Sequence, residues 1–237
     1  MSSIISIPRS IIPAIDTDDI LLFEKIVKET CDFKEVGAYK LGATIGLKYG
    51  LNQIVKIARQ LCNKPLIYDH QKAGTDIPDT GKAFTKMLKD CGMDALIIFP
   101  LTGPASQVAW IKAAQEVELP IIAGGLMTHE KFLSSEGGYI DDKVIEKMYS
   151  LSATNGIRDF VVPGNKPDSI KKIRESISSV INSENMTFYS PGFVTQGGKI
   201  TDAAIAAGNN WHAIVGRAIY EAPNIRASVE ILISELK

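Results

Sequence analysis

The chain is poor in cysteine. Cys31, Cys62 and Cys91 are far apart along 237 residues, odd in number, and in no CxxC pair or Cys/His cluster. That argues against a disulfide-stapled fold and against a cysteine-based metal centre. It fits buried or half-buried thiols, at helix ends, in a reducing compartment. Long apolar runs are missing too: none approaches the roughly 20 residues of a membrane-spanning helix. The N-terminus, MSSIISIPRS, has no basic stretch followed by a long apolar core, so it does not read as a signal peptide. Positive charge is not in excess. Lys and Arg number 26 against 27 Asp and Glu, a net charge of -1. Proteins that hold nucleic acid by its phosphates usually carry a basic surplus. Low-complexity segments and linker-like shifts in composition are also lacking. Together these absences predict a cytoplasmic protein with no membrane or nucleic-acid partner.

What the chain does have is an ordinary globular balance, 45% hydrophobic and 22% charged, arranged in strict alternation. Short apolar runs predict strands at Ser10–Ile15, Glu35–Tyr39, Pro65–Tyr68, Asp94–Phe99, Leu119–Ala123, Arg158–Val162, Met186–Ser190 and His212–Val215. Amphipathic stretches predict helices between them: from a Thr17 cap to about Thr30, then near 50–61, 79–90, from Pro104, 141–152, 168–181, 200–208 and 225–236. A polar insertion, Ser134–Gly138, precedes the helix at 141–152. Alternating strands and helices argue for a parallel sheet. Eight such units in this length fit an α/β fold of the (β/α)8 TIM-barrel type, with residues 1–237 as a single domain.

In such a barrel the chemistry gathers at the C-terminal strand ends. Those ends carry Asp16, Lys40, Asp69 with Lys72, Gly124–Thr128, Pro163-Gly164, Pro191-Gly192 and Gly216-Arg217. The early ends are charged and the late ones glycine-rich. A carboxylate flanked by ammonium groups stays ionised, and the lysines stay protonated. Lys40, Asp69 and Lys72 therefore predict a fixed charge array. One such charge alone would read as a solvated loop. The loop Pro191–Gly198 and the Gly216-Arg217 pair offer backbone N–H groups and a guanidinium, which suit phosphate. A turn glycine beside a surface arginine is the plainer alternative, but two such loops together favour a phosphorylated small substrate.

These residues resemble the orotidine 5′-phosphate decarboxylase family. The likeness runs in order along most of the chain: Ala14-Ile-Asp16, Tyr39-Lys40, Asp69…Lys72…Asp76-Ile-Pro-Asp-Thr80, Met127-Thr-His129, Pro191-Gly-Phe-Val-Thr-Gln-Gly-Gly198 and Ile214-Val-Gly-Arg-Ala-Ile-Tyr220. The resemblance implies a cofactor-free, metal-free decarboxylation of a nucleotide monophosphate in pyrimidine synthesis. It implies that Lys72 gives a proton to C6 of the pyrimidine and that Asp69 lies beside the substrate carboxylate. Lys40 would orient the array and reach the ribose. Asp76, with Ile77 and Thr80 beside it, would serve the neighbouring site across a homodimer. Asp16 matches a ribose ligand, and Thr128 stands where the family commonly has a serine on the pyrimidine. Gln196, Arg217 and Gly216 match the phosphate site, with Pro191 opening its loop. One departure is plain. The family spacing D-x-K-x-x-D is here D-x-x-K-x-x-x-D. On an extended segment one extra residue turns a side chain to the other face, so either the backbone bulges, with the three charged groups still converging, as is expected here, or His70 or Gln71 takes part of the expected geometry.

Two other readings stand beside this one. A magnesium-dependent phosphosugar decarboxylase or synthase of the same superfamily would carry an acidic metal ligand where this chain has Lys40. A non-catalytic nucleotide-binding barrel would keep the phosphate site alone. Other residues take ordinary readings. His212 is a packed histidine, His129 a helix-start residue, and Trp110 and Trp211 are packing groups. Lys166–Glu175 form a solvated helix face, and Asp79 is an N-cap.

Overall fold

The computed structural model describes residues 3–70, 75–193 and 197–236. Eight parallel strands close on themselves in sequence order: β1 (Arg9–Ile15), β2 (Tyr39–Gly42), β3 (Leu66–Asp69), β4 (Ala95–Ile98), β5 (Ile121–Ala123), β6 (Asp159–Val161), β7 (Thr187–Ser190) and β8 (Trp211–Val215). The ring is sealed where β1 pairs with β8, from Arg9 opposite Trp211 to Pro13 opposite Val215. Side chains alternate across the sheet. Ile12, Ala14, Ile67, Ala95, Ile97, Ile122, Val161, Tyr189 and Ile214 fill the barrel. Ile11, Ile15, Tyr39, Leu41, Leu66, Leu96, Ile98 and Phe160 face the helices. Both faces are buried, which is why these strands read as continuous apolar runs rather than alternating ones. Ile5 also enters the interior cluster, so the segment before β1 plugs the N-terminal end of the barrel.

The helices are α1 (Ile20–Thr30), α2 (Ala43–Tyr49), α3 (Leu51–Leu61), α4 (Thr80–Asp90), α5 (Pro104–Glu116), α6 (Asp142–Thr154), α7 (Pro167–Ser178), α8 (Ile200–Ala207), α9 (Arg217–Tyr220) and α10 (Ile225–Ser234). Each long helix buries one stripe. On α3 it is Ile54, Val55 and Ala58; on α7 it is Ile170, Ile173 and Ile177. None of the described helices is long and apolar enough to cross a membrane.

Several local expectations need correcting. The cap of α1 is Asp19, whose Oδ1 accepts from the N–H groups of Leu21 (2.9 Å) and Leu22 (3.2 Å); Thr17 instead accepts from Asp19 N. The second strand is not Glu35–Tyr39. It begins at Tyr39 and runs through Lys40 to Gly42, while Val36 makes only an isolated bridge to Ile11. The expected helix near 50–61 is present as Leu51–Leu61, but an unexpected one, Ala43–Tyr49, precedes it; the two meet at Gly50, whose φ of 77° suits a residue without Cβ. Asp79 occupies the N-cap position of α4, but its side chain makes no capping bond. His129 lies in a bend, not at a helix start. The polar insertion forms a short 3-10 turn, Ser134–Glu136, tied down by Asp142 accepting from Ser134 and Ser135. All three cysteines are C-cap residues.

Candidate active site

Strand register explains why three early charges meet. Lys40 pairs with Ala14 of β1 on one side and with Ile67 of β3 on the other. Asp69 ends β3 opposite Gly42, and Asp16 follows directly on β1. Gly42 is two positions after Lys40, as Asp69 is two positions after Ile67, so the inward face carries Lys40 and Asp69 together. The Lys40 ammonium donates to Asp16 Oδ1 (3.1 Å) and Oδ2 (3.3 Å) and to Asp69 Oδ2. Lys40 and Asp69 side chains are 3% and 0% exposed, and Asp16 is 23% exposed. Burial alone would push the ammonium toward neutrality. The carboxylates of Asp69 and Asp16 outweigh it and hold the Lys40 pKa above its ordinary value. Gly42 makes the meeting possible, because a Cβ there would overlap Asp16 Oδ1.

Asp16 and Lys40 belong to the wall of a cavity of about 450 Å3 at the C-terminal ends of the strands. Thr128, Pro191, Gly216 and Arg217 share that wall. Five residues of the expected substrate site, from the ends of β1, β7 and β8 and the segment after β5, thus face the same space as the ammonium. Arg217 is exposed and opens α9 immediately after Gly216. Two larger cavities, about 730 and 660 Å3, lie at the opposite end of the barrel around residues 3–8. The smaller one is the candidate site, because it alone of the three collects Asp16, Lys40 and Arg217 at the strand ends where barrels carry their chemistry.

Phe99, Met127 and Tyr220 also line the cavity; the sequence motifs include Met127 and Tyr220 but give none of the three a site role. Phe99 could have been found, since it ends the predicted fourth strand, and Tyr220 closes the Ile214–Tyr220 motif. Asn165 had no signal. Its Nδ2 donates to Thr128 O at 3.0 Å and holds the Thr128 segment against the loop after β6. Gly124 accommodates Phe99, whose ring occupies the space a Cβ would need.

Other predicted residues lie elsewhere. Asp76 is exposed; its Oδ1 accepts from Ile77 N at 2.7 Å. Thr80 Oγ1 donates to Ile77 O at 2.8 Å, and Ile77 is 58% exposed. Within one chain, no described contact joins Asp76, Ile77 or Thr80 to Lys40 or Asp69. Lys72 and Gln196, and with them the expected bulge around Lys72, lie outside the described residues. Among the described residues, no group of three His, Cys, Asp or Glu side chains is placed to hold a metal ion. His212 is buried, with Nδ1 2.8 Å from Ser10 Oγ. Trp110 and Trp211 are core residues, each donating one hydrogen bond, to Ile77 O and Ser190 Oγ.

Fold and site together define a (β/α)8 barrel with a pocket of acidic and basic groups at the C-terminal strand ends. The sequence profile of the "Orotidine 5′-phosphate decarboxylase / HUMPS family" matches residues 9–231, and the chain belongs to that family. Orotidine 5′-phosphate decarboxylase of Methanosarcina barkeri is 32% identical over 227 residues, covering 94% of this chain and 93% of the relative. The enzyme of that name from Pyrococcus abyssi is 31% identical, covering 96% and 99%. Among solved structures, orotidine 5′-monophosphate decarboxylase of Methanocaldococcus jannaschii, complexed with the inhibitor BMP, superposes with a TM-score of 0.83 at 26% identity, covering 97% and 99%.

Proposed function

We propose that this chain decarboxylates orotidine 5′-phosphate to uridine 5′-phosphate, in pyrimidine synthesis. The observation that carries the reading is the buried Lys40 ammonium, held between Asp16 and Asp69 on the wall of the cavity that also reaches Arg217. Family membership supports it, as do relatives of that name matched over nearly their whole length.

In this mechanism the bond from C6 to the carboxylate breaks and its electron pair stays on C6. Carbon dioxide leaves, and a proton from Lys72 fills the valence. Asp69 lies beside the departing carboxylate. Lys40 fixes the orientation of Asp69 and Asp16, so that the charges are in place before substrate binds and need not reorganise during reaction. Asp16 holds ribose hydroxyls and Thr128 the pyrimidine edge. Pro191, Gln196, Gly216 and Arg217 form the phosphate end. Binding energy from that remote end contributes to transition-state stabilisation at C6. Asp76, with Ile77 and Thr80, serves the neighbouring site in a homodimer. Its exposure and its lack of contact with Lys40 in one chain support that assignment.

A magnesium-dependent phosphosugar enzyme is the less favoured reading, because a buried cation, Lys40, stands where that reaction would call for a metal ligand. The test is carbon dioxide release from orotidine 5′-phosphate by purified protein and by Lys72→Ala. The parent turns over with or without a chelator, and the variant loses turnover. An inert parent, or an undiminished variant, refutes the proposal.

A further inference from the structure

Between Asp69 and Lys72 this chain has two residues, His70 and Gln71, where the family spacing has one, and the structure shows where His70 goes. Asp69 points into the barrel, so the next side chain along the strand points out. The His70 backbone N–H donates to Ile97 O at 3.2 Å, which carries the β3–β4 pairing one residue past Asp69. Outside the barrel its ring meets three aromatic rings. It lies 4.4 Å from Phe84 of α4, 6.0 Å from Trp110 of α5 with only 18° between the planes, and 5.7 Å from Tyr68. Phe84 and Trp110 are themselves in contact, 5.1 Å apart. Offset and tilted ring pairs at these distances attract one another beyond what their buried area alone supplies. Among the described residues His70 Nδ1 is buried with no hydrogen-bond partner, and the contacts its ring makes are with other aromatic rings.

The cage does not end at the strand. Trp110 Nε1 donates to Ile77 O at 3.1 Å. Gly81, at the start of α4, lies so close to the indole that a Cβ would come within 2.8 Å of Trp110 Cδ1. Thr80 in turn donates to Ile77 O. One indole therefore touches both the residue after Asp69 and the residue after Asp76. We infer that His70 is a positioning residue: its ring, stacked on Trp110 and tilted against Phe84, locks the Asp69 strand end to the Asp76–Thr80 segment, so that the two carboxylates keep a fixed relation despite the longer spacing around Lys72. The inference rests on the decarboxylase reading for its kinetic consequence, but the mechanical link is measurable without turnover.

Two variants test it, at a temperature well below the melting point of every protein used. In His70→Ala the ring is deleted; in His70→Phe an aromatic body is restored without the imidazole nitrogens. Hydrogen exchange at the Ile77 and Thr80 amides should speed up at least about tenfold in His70→Ala and return near the parent in His70→Phe. Turnover of orotidine 5′-phosphate should follow the same order. His70→Ala is expected to lose about tenfold or more in kcat, since small misplacement of reacting groups is costly, with KM changed less than about twofold. A role confined to packing would lower the melting point and leave kcat and exchange at Ile77 and Thr80 unchanged, which overturns the inference. Failure of His70→Phe to recover either readout also overturns it. If His70→Ala does not fold, Trp110→Phe cuts the bond to Ile77 O while keeping a ring, and unchanged exchange at Ile77 then refutes the link. An inactive parent with the predicted exchange pattern counts against the decarboxylase reading and not against the link.

Discussion

The N-terminal end of the barrel holds an acid in an expensive place, and Asp159→Asn measures the cost. Asp159 Oδ1 accepts from Tyr189 Oη at 2.9 Å, and no described ion pair includes this carboxylate. Its neighbour Arg158 turns away, donating to the Ala153 and Ile157 carbonyls. Burial raises the Asp159 pKa from 3.8 to about 6, against the lowering effect of the Tyr189 hydroxyl. That displacement corresponds to about 3 kcal/mol between the charged and neutral forms. The sign follows from proton binding. Between about pH 4 and 6 the folded chain holds this proton and the unfolded chain has lost it, so the stability associated with the proton disappears as pH rises through 6. Above pH 7 the charged, half-buried Asp159 is a net penalty. Asparagine keeps an acceptor for Tyr189 and has no charge. Water in the adjoining cavity, whose wall includes Asp159, reduces the full figure, so the expected gain at pH 8 is about 1–3 kcal/mol. For a chain of this size that is a rise of roughly 3–10 °C in melting temperature. At pH 4.5 parent and variant should melt within about 2 °C of each other. The assay is a thermal melt of both proteins at the two pH values. A variant less stable than the parent at pH 8, or equally stabilised at both pH values, refutes the reasoning.

Other outcomes follow from the same geometry. The neutral, buried His212, whose pKa burial lowers to about 3, should make the protein lose stability as pH falls from about 6.5 toward 3, and His212→Phe should flatten that slope in melts across the range. Gly42→Ala places a methyl against Asp16 Oδ1 and should displace Asp16 from Lys40. It is expected to lower kcat/KM for orotidine 5′-phosphate by about tenfold or more, with a melting point changed far less than by a core truncation. Arg217→Ala should raise KM by about 10- to 100-fold, the loss of a charge-assisted contact worth roughly 1.5–3 kcal/mol, while uridine 5′-phosphate affinity measured by calorimetry falls in parallel.

Much of this molecule could be read before its structure. Eight alternating units became eight strands in a closed ring, because the strands are buried on both faces and so appear as unbroken apolar runs. That Asp16, Lys40, Thr128, Pro191, Gly216 and Arg217 gather around one cavity was legible because strand ends in a barrel converge whatever their separation in sequence. The failures were local. Thr17 lost the cap to Asp19 because both residues are good acceptors and composition alone cannot set the helix start. The apolar Val36–Ala38 run drew the second strand too early; in the fold these residues lead up to a strand that starts at Tyr39. The aromatic cage around His70 was invisible, because Phe84 and Trp110 come from two different helices and nothing in their spacing indicates a shared neighbour. Phe99 and Asn165 show the same limit: a residue that shapes a site by packing, or from behind it, leaves no motif.

The central claim is that a fixed array of charges around Lys40 performs a decarboxylation without a metal. Its most direct test is a single experiment: purified protein, treated with a chelator, incubated with orotidine 5′-phosphate while uridine 5′-phosphate is quantified. The account predicts stoichiometric conversion that chelation does not slow. Uridine 5′-phosphate that binds tightly while orotidine 5′-phosphate stays intact would contradict it, and so would turnover that stops on chelation and returns with magnesium.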